Sequence, residues 1–193
     1  MSARAGDAVS PARDSDDPGT ARLSDIAAIR TRARRHIEQG AVTEDYSANR
    51  DNLIRLLNEA LATELVCTLR YRRHYYMANG FAAESVREEF LTHANEELEH
   101  ADRIATRIVQ LKGEPNFDPV GLAERSHAEY VAAASLRAMV EEDLIAERIA
   151  IESYGEIIRY IGASDPTTRR LFEDILAKEE EHAEELSSFL SSD

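Results

Sequence analysis

The chain has no tryptophan, a single cysteine and little glycine or proline, with 8 Gly and 5 Pro in 193 residues. So few turn formers suit long helices. Cys67 alone cannot close an internal disulfide or build a cysteine-based zinc or rubredoxin-type site, and a lone thiol fits a reducing compartment. A cytoplasmic location is therefore expected. No apolar run approaches the ~20 residues a membrane helix needs, which argues against a spanning protein. The first twenty residues hold no hydrophobic segment of the kind a secretory signal requires. Bases are also scarce: 23 Lys and Arg stand against 37 Asp and Glu, for a net charge of -14. That balance disfavours a nucleic-acid surface and favours cations as partners.

What is present is helical periodicity. Residues 1–20 mix Ser, Pro, Gly and Asp without a period and read as a disordered tail. Residues 21–46 read as a helical extension, with a basic amphipathic helix from Ser24 to Gln39 closed by Gly40. Residues 47–193 read as one bundle of four helices. The first runs from about Asn49 to Asn79 and stops at Gly80. The second starts at Ser85, with Glu88 completing a capping box, and ends before Gly113. Gly113 to about Ala134 is a long connection. The third helix runs from Ser135 to Gly162, and the fourth starts at Pro166 behind the cap Asp165. The fold class expected is all-α: two antiparallel hairpins joined by one long crossover, plus an N-terminal helix.

Each apolar seam is interrupted once by ionisable residues. The fourth helix reads Phe172, Ile175, Glu179, His182, Leu186, Phe189. The second reads Phe90, Ala94, Glu97, His100 or Ala101, Ile104, Ile108, Leu111. The first offers Leu53, Leu57, Ala60, Glu64, Cys67 and Tyr71. The third offers Val140, Leu144, Glu147, Ile151, Tyr154, Ile158 and Ile161. The two halves repeat: Glu64 precedes Glu97 as Glu147 precedes Glu179, and each second acid is followed by histidine at the third position. At 1.5 Å per residue all four acids lie roughly 18–24 Å from their own hairpin turn. Antiparallel hairpins then bring Glu64 level with Glu97 and His100, and Glu147 level with Glu179 and His182.

Burying four carboxylates together is unfavourable unless they are compensated. Two divalent cations balance four carboxylates and two neutral imidazoles. Oxygen ligands with two imidazoles suit iron or manganese, with zinc able to compete. Chance placement of 24 Glu and 6 His in this length gives roughly 0.75 Glu-x-x-His matches, so one match alone means little. The third match here, Glu124 and His127, falls in the crossover without a partner acid and reads as coincidence. Tyr71 and Tyr154 read first as core tyrosines, with a redox or metal-shell role as the alternative. His74 and His93 read as surface or packing residues, Cys67 as a small core residue, and the Arg30–Arg35 cluster as a solvated or subunit-contacting face.

The stretches Asn58–Tyr71, Glu96–Ile104, Asp143–Glu147 and Ile175–Ala183 resemble bacterioferritin and its ferritin-like di-iron relatives. The resemblance implies a ferroxidase with two Fe ions per subunit, oxidising Fe(II) with O2 or H2O2 and storing Fe(III) in a hollow homo-oligomer. By that likeness Glu64 and His100 hold one iron, Glu147 and His182 the other, Glu97 and Glu179 bridge, and Tyr71 stands beside the centre. Leu98 occupies the position of the family's haem-ligating methionine, so no haem is expected. Only 11 residues follow His182, too few for the family's fifth helix, which leaves a 12-subunit shell open beside a 24-subunit one. The alternatives are a ferritin-like oxidase or peroxidase without storage, and a Dps-like DNA-protecting shell protein. DNA binding is not expected from the acid excess.

Overall fold

A computed structural model describes residues 25–80 and 83–191. The tail at 1–20 and Ser24 lie outside the described residues. All regular structure among those described is helical: α1 (Ile26–Arg32), α2 (Arg50–Met77), α3 (Ala83–Gln110), α4 (Leu122–Arg125), α5 (Leu136–Ile161) and α6 (Pro166–Ser191). The caps explain three of the starts. Asn49 accepts from Asn52 N at 3.1 Å, Ser135 from Ala138 N at 3.2 Å, and Asp165 from Thr168 N at 2.9 Å. Each oxygen satisfies a first-turn amide that has no partner inside its own helix. α2 and α3 are 28 residues each, about 42 Å. They pair as one hairpin, α5 and α6 form the other, and lighter contacts join α2 to α5 and α3 to α6. The crossover, with α4 in it, returns along α2, where His127 N donates to Thr63 Oγ1 at 2.9 Å.

Three expectations need correction. The N-terminal helix is shorter than Ser24–Gln39: it ends at Arg32 behind its cap Asp25, and Ile37–Gln39 form a separate 3-10 turn. Arg34 Nη1 turns back to the Arg30 carbonyl at 2.7 Å, and His36 is left-handed at φ 49°. α1 buries no residue, and short unpacked helices are marginal. Second, α3 begins at Ala83, which places Ser85 inside its first turn rather than at a cap. Third, Leu144, Ile151 and Ile158 are only half-buried. Asp143, Ala146, Ala150 and Ile157 turn inward instead.

The core has two apolar ends. Leu53, Leu57, Ile104, Ile108, Phe172 and Ile175 belong to one cluster; Phe90, Val140 and Leu186 belong to the other, with Phe189 packed against it. Two buried polar clusters also pin the bundle. At one, Arg107 Nη2 donates to both oxygens of Asp165 at 2.9 and 2.8 Å, and the Tyr46 hydroxyl donates to the same carboxylate at 2.7 Å. That ties the extension to the cap of α6. At the other, Arg70 Nε donates to Asp143 Oδ1 at 2.7 Å, His74 Nδ1 lies 2.8 Å from Asp143 Oδ2, and Arg70 Nη1 reaches the Glu129 carbonyl at 2.9 Å. α2, α5 and the crossover are thereby fixed to one another at the level of the ionisable residues.

Candidate metal centre

The four long helices each contribute to one enclosed pocket. Glu64 comes from α2, Glu97 and His100 from α3, Glu147 from α5, and Glu179 and His182 from α6. None is more than 4% exposed. Glu–His pairs three apart lie on one helical face, so α3 and α6 each present a carboxylate and an imidazole together. Two overlapping groups result, one of Glu64, Glu97, His100 and Glu179, the other of Glu97, Glu147, Glu179 and His182. In each, the ligand atoms lie within 4.8 Å of one another. Glu97 and Glu179 belong to both.

The atoms that converge there lack ordinary partners. Glu64 Oε2, Glu97 Oε1, both oxygens of Glu179, and Nδ1 of His100 and His182 are buried without a hydrogen bond. His100 Nδ1 lies 3.1 Å from Glu179 Oε1 and 3.4 Å from Glu64 Oε2. His182 Nδ1 lies 3.3 Å from both Glu97 Oε1 and Glu179 Oε2. Buried polar atoms are rarely left unsatisfied, and oxygen and imidazole donors converging in this way fit a pair of divalent cations. Burial raises the Glu97 carboxyl to about 7, with the Glu64 charge adding to the effect, and pushes Glu147 well up beside Glu97 and Glu179. Burial pulls both imidazoles down, but carboxylate contacts outweigh it and bring His100 to about 11 and His182 to about 12. Protons thus supply the positive charge that cations supply in their place.

The tyrosines are bound into the site. Tyr71 donates to Glu147 Oε1 and Tyr154 to Glu64 Oε1, each across the bundle. Both are fully buried, and burial together with the facing carboxylate holds each phenol well above its usual range. The sequence reads Tyr154 and Tyr71 alike, as core residues first and metal-shell groups as the alternative, and the two do mirror one another across the pocket. Sequence reasoning left His93 as packing. His93 lies one turn before Glu97 on the same stripe, fully buried, with Nδ1 3.2 Å from the Tyr71 hydroxyl and its ring stacked on His182 at 3.9 Å. Burial first, and His182 next, lower its pKa. Glu96 was missed as well: it lies 2.8 Å from His182 Nε2, leaving Nδ1 to face the pocket. The repeat is imperfect at one place. The residue one turn before Glu179 is Ile175, which packs with Tyr154 and Phe172 in the apolar cluster. One half of the pocket is backed by a polar chain, the other by hydrocarbon.

The remaining candidates fall elsewhere. Glu124 and His127 join none of the possible metal groups among the described residues. Cys67 is a buried core thiol. His74 is fully buried against Asp143 and is not a surface residue. Leu98 is 39% exposed and offers no atom able to ligate haem iron. No helix among the described residues is long and apolar enough to cross a membrane.

Residues 54–193 match the family described as "Ferritin-like domain". A nutrient stress-induced DNA-binding protein of Nostoc sp. is 35% identical over 144 residues, covering 71% of this chain and 76% of that protein. A bacterioferritin of Mycobacterium avium is 32% identical over 139 residues, covering 72% and 83%. Among solved structures, a dodecameric thioferritin, the bacterioferritin-related protein of Bacteroides fragilis, superposes with a TM-score of 0.72 at 33% identity. It covers 75% of this chain and 88% of that one.

Proposed function

Since the chain belongs to the ferritin-like family, alongside iron-storage and protection proteins, we propose that it is a ferroxidase that oxidises Fe(II) inside its bundle and keeps the Fe(III) within a shell of its own copies. One observation carries the reading: six buried ligand side chains meet, and Glu97 and Glu179 are common to both groups. Glu64 and His100 then hold one Fe(II), Glu147 and His182 the other, and the two shared carboxylates bridge. Mn(II) or Zn(II) would fit the same donors. Two Fe(II) give up two electrons together, either to H2O2, which takes up two protons and leaves as two waters, or to O2, which takes up two protons and leaves as H2O2. Tyr71 and Tyr154 orient the outer carboxylates, and Glu96 fixes His182, so geometry is set before substrate arrives.

Protons and cations compete for this pocket. Both imidazoles are protonated at neutral pH without a cation and must lose that proton to ligate. Loading at pH 7 is therefore expected to release protons, and affinity to rise with pH. Calorimetry in buffers of different ionisation enthalpy measures both. Pocket stability runs the other way. Glu97 is raised from an ordinary value of 4.5 to about 7, so the folded chain binds the extra proton and the metal-free protein loses stability as pH climbs through that interval.

The decisive test is anaerobic Fe(II) titration of the purified protein, followed by an O2 or H2O2 pulse with optical detection and mass measurement on the same sample. A fast phase saturating at two Fe(II) per chain in a large hollow particle is expected; no fast phase refutes the ferroxidase. A small oligomer with a fast phase would instead indicate an oxidase without storage. A dodecamer is the assembly best supported, by likeness to the Bacteroides fragilis protein at 33% identity. The DNA-binding name of the Nostoc relative does not carry over easily, since residues 46–193 hold 29 acids and 16 bases. No DNA retardation is expected at physiological salt.

A further inference from the structure

Outside the pocket, the seam of α3 and α6 holds a second convergence of ligand atoms. His93 Nε2 lies 2.9 Å from Glu185 Oε2 and 3.2 Å from Glu89 Oε1. The three residues offer ligand atoms all within 4.8 Å of one another. Glu89 and His93 are four apart on α3 and share a face; Glu185 reaches them from α6. The histidine is fully buried, while the side chains of Glu89 and Glu185 are 29% and 43% exposed. The group is thus anchored inside and open outside.

The surroundings of the ring suit a cation as well. His93 Nδ1 lies 3.2 Å from the Tyr71 hydroxyl, whose proton is given to Glu147, so the far nitrogen has an acceptor of its own. Nε2 pairs with Glu185 Oε2 at 2.9 Å and lies 3.2 Å from Glu89 Oε1, and a cation bound by that nitrogen would take the place of the proton between them. A histidine whose far nitrogen is held by a hydrogen bond, with its near nitrogen beside two carboxylates, is the donor set of a first-row divalent cation.

We propose that Glu89, His93 and Glu185 form a mononuclear site for a divalent transition-metal cation at the rim of the bundle. It is separate from the dinuclear pocket and stands beside it through the His93–His182 stack. Its role as a holding position for incoming Fe(II) rests on the ferroxidase reading; its existence as a metal site does not.

Co(II) is a suitable probe, being visible through its d–d bands without turnover. Under equilibrium dialysis the full chain is expected to bind one more Co(II) than the E89Q/E185Q variant, whose substitutions are isosteric and half-exposed. In an E97A/E179A background, one Co(II) per chain should remain and disappear when E89Q/E185Q is added. Equal stoichiometry with and without E89Q/E185Q, in both backgrounds, overturns the rim site. E97A/E179A binding as many ions as the unaltered chain would instead overturn the dinuclear reading, leaving the rim site to be judged by E89Q/E185Q alone.

Discussion

Replacing Glu97 or Glu179 by alanine is expected to slow rapid Fe(II) oxidation by at least ~100-fold, more than loss of an outer-sphere partner costs. Each carboxylate belongs to both ligand groups, so one substitution takes a donor from two ions at once. The helices should survive, because apolar clusters hold the bundle on either side of the pocket. Each change removes a carboxylate partner of a buried imidazole, so the metal-free variants are expected to stay helical with a lower melting point. They also lose cation-dependent stabilisation. A site filled at a hundred times its Kd contributes about 2.7 kcal/mol, or ~5–10 °C in a chain of this size. Melting curves with Mn(II) or Zn(II), with and without chelator, separate the two effects. Unchanged oxidation kinetics in both variants would sink the assignment.

Asp143→Ala should have the largest effect on the fold itself. Asp143 is fully buried and accepts from Arg70, which is 1% exposed, while His74 holds its other oxygen. Removing the carboxylate leaves a guanidinium whose charge Asp143 had helped to hold, with the Glu129 carbonyl, the Cys67 sulfur and the Tyr71 ring beside it. Breaking one side of a buried pair in this way costs about 3–5 kcal/mol. Urea unfolding should show the midpoint moving down at nearly constant slope. Since Arg70 also grips the crossover, proteolysis near Glu129 should accelerate in parallel. An unfolding free energy within ~0.5 kcal/mol of the parent, the range of ordinary surface substitutions, would show the cluster to be structurally idle.

The convergence of the six pocket side chains was legible in sequence because they break the rule around them. A glutamate in the middle of an apolar stripe is conspicuous, and the equal depth of Glu64 and Glu147 along their helices turns four such breaks into one location. The third long helix was misread for a related reason. Ranking by hydrophobicity places Leu144, Ile151 and Ile158 inward, whereas the bundle turns in Asp143, Ala146 and Ala150. Small residues sit there because Ala146 packs against Cys67 and Ala128 of the crossover, and Asp143 because Arg70 needs a counter-charge. Neither reason is local to the helix. Ile145 is left 50% exposed, with Leu69 and Val109 similarly placed on other helices. His93 and Glu96 were hidden for the opposite reason. Each fits its helix unremarkably, and its role appears only when the facing side chain is known. The 3-10 turn at Ile37–Gln39 follows a left-handed His36, which periodicity does not report.

The duplicated halves differ in what stands behind them, His93 in one and Ile175 in the other. His93 stacks on His182 and lies against Tyr71, the partner of Glu147, whereas Tyr154, the partner of Glu64, packs with Ile175. Two like seats with unlike backing are expected to differ in affinity, so a single cation should prefer one of them.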